Sequence, residues 1–229
     1  MTHDMLDTEV REVMLHAGRV RLGGGLAIPE GARGLVVFAH GSGSSRFSPR
    51  NRAVARALRA AGLGTLLFDL LGEEEEALDA DTGALRFDIP FLARRLVTVA
   101  EWARLLPEAR RLPLGFFGSS TGAAAALVAS ALQPGLVQAV VSRGGRPDLA
   151  GPALARVRVP TLLLVGGRDE EVLALNEDAL EELGGVRELI VVPGATHLFE
   201  EPGALEDVAR RAADWFTRYL AEDRTEARR

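Results

Sequence analysis

The stretch Leu112-Pro113-Leu114-Gly115-Phe116-Phe117-Gly118-Ser119-Ser120-Thr121-Gly122-Ala123 decides how this chain is read. An apolar run over 112–117 meets a turn of small residues, and an alanine-rich segment follows at 123–127. Buried strand, sharp turn and helix form the setting in which G-x-S-x-G holds a serine at the apex of a strained turn. The residues two places on either side of that serine must be small. Ser120 meets the condition through Gly118 and Gly122, whereas Ser119 has Phe117 and Thr121 there.

Outward from the turn, strands and helices alternate. Residues 9–16 and 18–28 read as two strands joined by a Gly-containing turn. The continuous apolar run 34–39 is typical of a strand covered on both faces. A helix spans 48–61, with Ser48 as its cap and Pro49 in its first turn. Strand 65–68 precedes a long amphipathic helix over 87–106, whose apolar positions are Ile89, Leu92, Leu96, Val99, Trp102 and Leu106. Then come strand 113–117, helix 120–132, strand 137–142, strand 160–165, helix 171–183, strand 187–192 and helix 204–221. This spacing predicts an α/β fold: a three-layer sandwich with a mostly parallel sheet and an antiparallel hairpin at one edge. No internal repeat or linker interrupts it, so one domain over 1–229 is expected.

Composition narrows the chemistry. The chain has 229 residues, 47% hydrophobic and 26% charged, with a net charge of −5, which argues against nucleic-acid or anionic-membrane partners. It has no cysteine, which excludes disulfides, thiolate metal sites and Cys nucleophiles. Every basic residue is arginine, and the absence of lysine removes Schiff-base chemistry, Ser-Lys dyads and a Walker lysine. No apolar run approaches membrane-spanning length, and Met1-Thr2-His3-Asp4-Met5-Leu6-Asp7 lacks the basic and apolar regions of a signal peptide. A cytoplasmic location is the default expectation.

Sheets of this kind place their sites at the carboxyl ends of the strands. A serine hydroxyl needs a base to take its proton, and the base needs a carboxylate to orient it. Of the four histidines, His197 follows the last strand behind the small residues Gly194-Ala195-Thr196. His3 is in the terminal tail, His16 is on the first strand and His40 belongs to the loop after 34–39. Asp169 follows strand 160–165 behind Gly166-Gly167-Arg168 and gives the chain order Ser, acid, His; Asp148 and Asp69 compete for its role. The oxyanion of an acyl-transfer transition state needs two fixed N–H donors. The backbone amides of Thr121 and Ser42 are the candidates.

With His40-Gly41, the 118–122 turn, Asp169 and His197 in place, the chain resembles the α/β-hydrolase superfamily over nearly its whole length. Within it, the chain resembles the compact dienelactone-hydrolase-like group, which has no cap domain. That resemblance implies ester or lactone hydrolysis through an acyl-enzyme, without a cofactor. Dienelactone hydrolase itself carries cysteine at the turn where this chain has Ser120, so a general carboxylesterase acting on a small-molecule ester is the expectation. A thioesterase or peptidase on the same residues, or a non-catalytic binding protein on the scaffold, are the alternatives. Only about 17 residues separate strands 137–142 and 160–165, too few for a cap. An open site is expected.

Other signals carry two readings. Arg46, Arg143 and Arg146 lie in loops at the expected site face. They either grip an anionic substrate or pair with Asp69, Asp88 or Asp148 to shape those loops. The run Glu73-Glu74-Glu75-Glu76 has no histidine companion and reads as a solvated acidic loop rather than a metal site. Gly41-Ser42-Gly43-Ser44-Ser45-Arg46 after a strand imitates a dinucleotide fingerprint, but Arg46 stands where a third glycine belongs.

Overall fold

The computed structural model describes residues 8–220. The expectations for residues 1–7, including His3, and for the end of the last helix beyond residue 220 lie outside them. Eight strands form one sheet: β1 (Arg11–Ala17), β2 (Val20–Ala27), β3 (Leu35–Ala39), β4 (Gly64–Phe68), β5 (Leu114–Ser119), β6 (Ala139–Arg143), β7 (Thr161–Gly166) and β8 (Arg187–Val192). Their order is β1-β2-β4-β3-β5-β6-β7-β8. The β1–β2 hairpin and the β2–β4 pairing are antiparallel, and all remaining pairs are parallel. The mostly parallel α/β sandwich is therefore as expected.

Every residue of β3 through β7 is buried, as continuous apolar runs demand when helices cover both faces. On one face, α1 (Pro49–Ala60) and α6 (Ala204–Tyr219) pack through Val54, Leu58, Val208, Trp215 and Phe216. Ser48 Oγ accepts from the Asn51 amide and so caps α1. On the other face lie α3 (Ile89–Leu105), α4 (Thr121–Leu132) and α5 (Glu170–Glu182), where Leu92, Leu96, Leu127 and Ala179 enter the core. Asp88 caps α3 by accepting the Phe91 amide at 2.9 Å.

Between β6 and β7 stand only the 3₁₀ turns Pro147–Arg156, and no cap domain is inserted. Asp148 lies in those turns rather than in an open loop. The acidic run requires a correction. Residues 73–76 are not a solvated loop but the first turn of a helix, α2 (Glu73–Thr82). Four carboxylates at a helix N-terminus face its partial positive charge, which favours the arrangement. Glu75 also turns inward: its carboxylate accepts from the Gly72 amide at 2.8 Å and pairs with both terminal nitrogens of buried Arg95 at 2.8 and 2.9 Å. Burial opposes ionisation of Glu75, yet Arg95 and the Gly72 amide outweigh it and hold its pKa below the usual value.

Candidate active site

Ser120 sits where β5 turns into α4, with φ 51° and ψ −123°. A non-glycine residue in left-handed backbone costs about 1–3 kcal/mol and persists only where its surroundings impose it. Here they do. A Cβ on Gly118 would lie 2.4 Å from Ala123 Cα, and one on Gly122 would lie 2.3 Å from the Ala39 carbonyl oxygen. Both glycines let β5, α4 and the end of β3 close around the turn.

The turn is bonded to its neighbour on β6. The Ser120 amide donates to the Arg143 carbonyl at 3.3 Å, and the Arg146 amide donates to the Ser120 carbonyl at 3.2 Å. His197 borders the same segment, since a Cβ on Gly144 would lie 3.5 Å from His197 Cε1. Thus the 143–146 segment lies between the serine turn and the histidine loop. Asn176, fully buried on α5, donates to the Gly145 carbonyl at 2.9 Å and pins that segment.

His197 and Asp169 meet as the strand order requires: Nδ1 of His197 lies 2.6 Å from Oδ2 of Asp169. The carboxylate is an acceptor, so Nδ1 carries the proton and Nε2 is left with its lone pair. Backbone bonds hold the two loops together. Gly167 donates to the Val192 carbonyl and Arg168 to the Ala195 carbonyl, each at 2.9 Å. The Thr196 amide donates to Glu201 at 3.1 Å, and buried Phe199 adopts φ 55° just beyond the histidine. Ser120 and Phe199 are the two non-glycine residues with positive φ among the described residues. Neither Glu201, Phe199 nor Asn176 carries a motif, and the sequence reading missed all three.

At the β3 end, the Ser42 amide donates to Thr121 Oγ1 at 2.9 Å, so both expected oxyanion donors adjoin one another at the N-terminus of α4. His40 holds this loop. Its Nε2 accepts from the Leu70 amide at 3.0 Å, which places the proton on Nδ1, and Nδ1 donates to the Gly41 carbonyl at 2.9 Å. Burial depresses the pKa of His40 and keeps it neutral, against weaker opposing effects from the Gly41 carbonyl and Asp69.

The arginines divide. Arg46 is committed to Asp69, through its amide at 2.8 Å and its guanidinium, and also reaches Glu12. Arg146 makes a two-point contact with Asp148 at 2.9 and 2.8 Å. Competing acids Asp69 and Asp148 are thereby occupied by arginine. Arg143 is buried, and its pKa is lowered to about 10 by desolvation and by the charge of Arg50. Alternation along β6 puts its side chain on the face of Ala139 and Val141, toward α1 and α6.

A cavity of about 280 Å³ opens beside the oxyanion loop, bordered by residues 40–44, Thr121, Leu70, Leu71, Leu92 and α2. No cap is inserted between β6 and β7, and α2 walls the cavity on the β3–β4 side.

Among solved structures, the chain is 57% identical to a dienelactone hydrolase of Anabaena variabilis, with a TM-score of 0.91 over 93% of this chain and 99% of that one. The chain belongs to the dienelactone hydrolase family. Its fold is the α/β-hydrolase fold, which it shares with an esterase of Pyrococcus furiosus at 18% identity and a TM-score of 0.73, over 93% and 94% of the two chains. This member of the dienelactone hydrolase family is also 58% identical to a Mycobacterium tuberculosis protein named "Putative phosphoribosyl transferase", across 91% of this chain and 46% of that protein. It therefore spans less than half the length of that relative. No protein-family model matches it.

Proposed function

We propose that the protein is a serine carboxylesterase that hydrolyses small soluble esters or lactones through an acyl-enzyme, acting in the cytoplasm. The observation that carries this reading is the left-handed Ser120 at the β5–α4 turn, with the 143–146 segment touching both that turn and the loop of a His197–Asp169 pair at 2.6 Å. His197 Nε2 takes the Ser120 proton as Oγ attacks the carbonyl carbon, and Asp169 steadies the imidazolium. The oxyanion is held by the Thr121 amide, aided by the α4 dipole, and by the Ser42 amide once substrate draws it from Thr121 Oγ1. His197 then protonates the departing alcohol. Water, deprotonated by His197, cleaves the acyl-serine and restores both residues.

The hydrolase and esterase relatives support hydrolysis, and the serine mechanism is tested directly by a fluorophosphonate probe. Labelling is expected at Ser120 and absent in Ser120→Ala. A folded protein that remains unlabelled would sink the reading in favour of a binding protein. Matched oxygen esters, thioesters and amides separate esterase from thioesterase and peptidase, with oxygen esters expected to turn over fastest. The transferase name belongs to a protein more than half of which this chain does not cover, and it is not carried over.

A further inference from the structure

The cavity beside the oxyanion loop has a defined place in the reaction proposed above, on which this inference rests. A leaving oxygen must come within hydrogen-bond reach of the histidine that protonates it. The cavity is lined by the oxyanion segment and Thr121 but by none of Ser120, His197 and Asp169; it adjoins the serine through Gly41, where a Cβ would lie 3.8 Å from Ser120 Oγ. A space against the oxyanion amides and away from the histidine suits the acyl arm of a substrate rather than its leaving group. Its volume, about 280 Å³, falls near the lower end of the roughly 300–1,000 Å³ typical of small-molecule pockets. Leu70, Leu71, Ala80 and Leu92 make it partly apolar, which suits a short or branched acyl chain or a single ring.

Its charge is lopsided. The charged lining residues are Glu76, Asp79 and Arg86. Arg86 is already consumed: its Nε donates to Asp79 Oδ2 and its Nη2 to the Asp79 carbonyl, both at 2.5 Å. Buried Asp79 also accepts the Leu85 and Arg86 amides at 2.6 and 3.1 Å, so the pair forms a closed, neutral unit. Glu76, exposed in the first turn of α2, forms no ion pair among the described residues and leaves the cavity lining with a net negative charge. Burial raises its pKa and the Asp69 carboxylate reinforces the shift; Arg46 opposes it, and Asp79 adds a smaller push upward. An anionic acyl group entering here would add one more negative charge to that set. We propose that this cavity is the acyl pocket and that Glu76 makes it select neutral or cationic acyl groups over anionic ones.

The test uses 4-nitrophenyl butyrate, the hemisuccinate and a trimethylammonio-butyrate, which share one leaving group and differ in acyl charge. Like charges several ångströms apart in a partly wetted cavity predict a preference of about tenfold in kcat/KM for butyrate over hemisuccinate. The cationic ester should equal or exceed butyrate. Glu76→Gln should narrow the preference to about threefold and Glu76→Arg should reverse it, with melting temperatures confirming folded variants. Arg143→Met should leave the preference unchanged, because that side chain faces the opposite layer. Equal turnover of the charged and neutral acyl groups, or a preference unaffected by Glu76→Arg, would overturn the proposal. Labelling rates with a neutral and an ω-carboxyalkyl fluorophosphonate give a second readout. If both label Ser120 equally fast, acyl selection fails while the hydrolase reading stands. If neither labels, both fall.

Discussion

The two sides of Ser120 are held by different forces. On the β7–β8 side, backbone bonds from Gly167 to Val192 and from Arg168 to Ala195 join the loops that carry Asp169 and His197. On the β3–β4 side, α2 is tied down by side chains, through Glu75–Arg95 and Asp79–Arg86. Catalytic geometry tolerates errors of well under an ångström, and a backbone ladder supplies that rigidity. A substrate wall needs only shape and charge, which side-chain tethers can supply and a few substitutions can alter. On the function and acyl pocket proposed above, the protein thus separates a fixed chemical half from an adjustable recognition half.

That division can be broken experimentally, and the largest effect belongs to the chemical half. Ser120→Ala is expected to lower kcat/KM for a short-chain ester at least ~10⁴-fold with melting temperature nearly unchanged. A residual activity within tenfold of wild type would place the nucleophile elsewhere. Asp169→Asn, which keeps the shape but loses the preference for the productive His197 tautomer, should cost about 10³–10⁴ in kcat. Asp148→Asn serves as the comparison and should leave kcat within a few-fold.

In the recognition half the effects are smaller and selective. Leu92→Trp fills the cavity and should reduce kcat/KM for a branched acyl ester about tenfold, while acetate esters and phosphonate labelling change little. A uniform loss for all acyl groups would show that the cavity is not where the acyl arm lies.

His40 links the halves to pH. Its folded pKa lies below its ordinary 6.5, so the unfolded chain binds the extra proton first. Its stabilising contribution is complete above that value and declines as pH falls below it, by up to about 1.4 kcal/mol per pH unit. Denaturant midpoints measured from pH 7.5 to 5 should fall, and His40→Gln should flatten the decline. A parallel decline in the variant would assign it to other groups.

The smallest change expected is in Thr121→Val, which removes the hydroxyl that receives the Ser42 amide. If that amide is the second oxyanion donor, kcat should stay within about threefold. A loss of ~10²–10³ would assign the donation to the Thr121 hydroxyl instead.

The legibility of the sequence follows the same division. Apolar runs and the small residues at 118–122 report strands and a tight turn because buried backbone and close packing restrict residue type locally. So the sheet, Ser120, and the placement of Asp169 and His197 at strand ends could be read directly. The Glu73–Glu76 run was misread because α2 has no strong apolar stripe and is secured by Arg95 and Arg86, partners distant in sequence or beyond its end. Arg46 was ambiguous for the same reason, until Asp69 was found against it. Asn176, Phe199 and Glu201 act through positions in space that no spacing rule encodes.

By itself, then, the sequence determined the layered α/β fold, the serine at its strained turn, and the absence of cysteine and lysine chemistries. These depend on residue size, polarity and order along the chain. Tertiary structure alone decided the tautomer of His40, the partners of the arginines, and the acidic cavity beside the oxyanion loop. Each of those depends on which charges and donors meet across the fold, where burial makes an unpaired group costly and a paired one neutral.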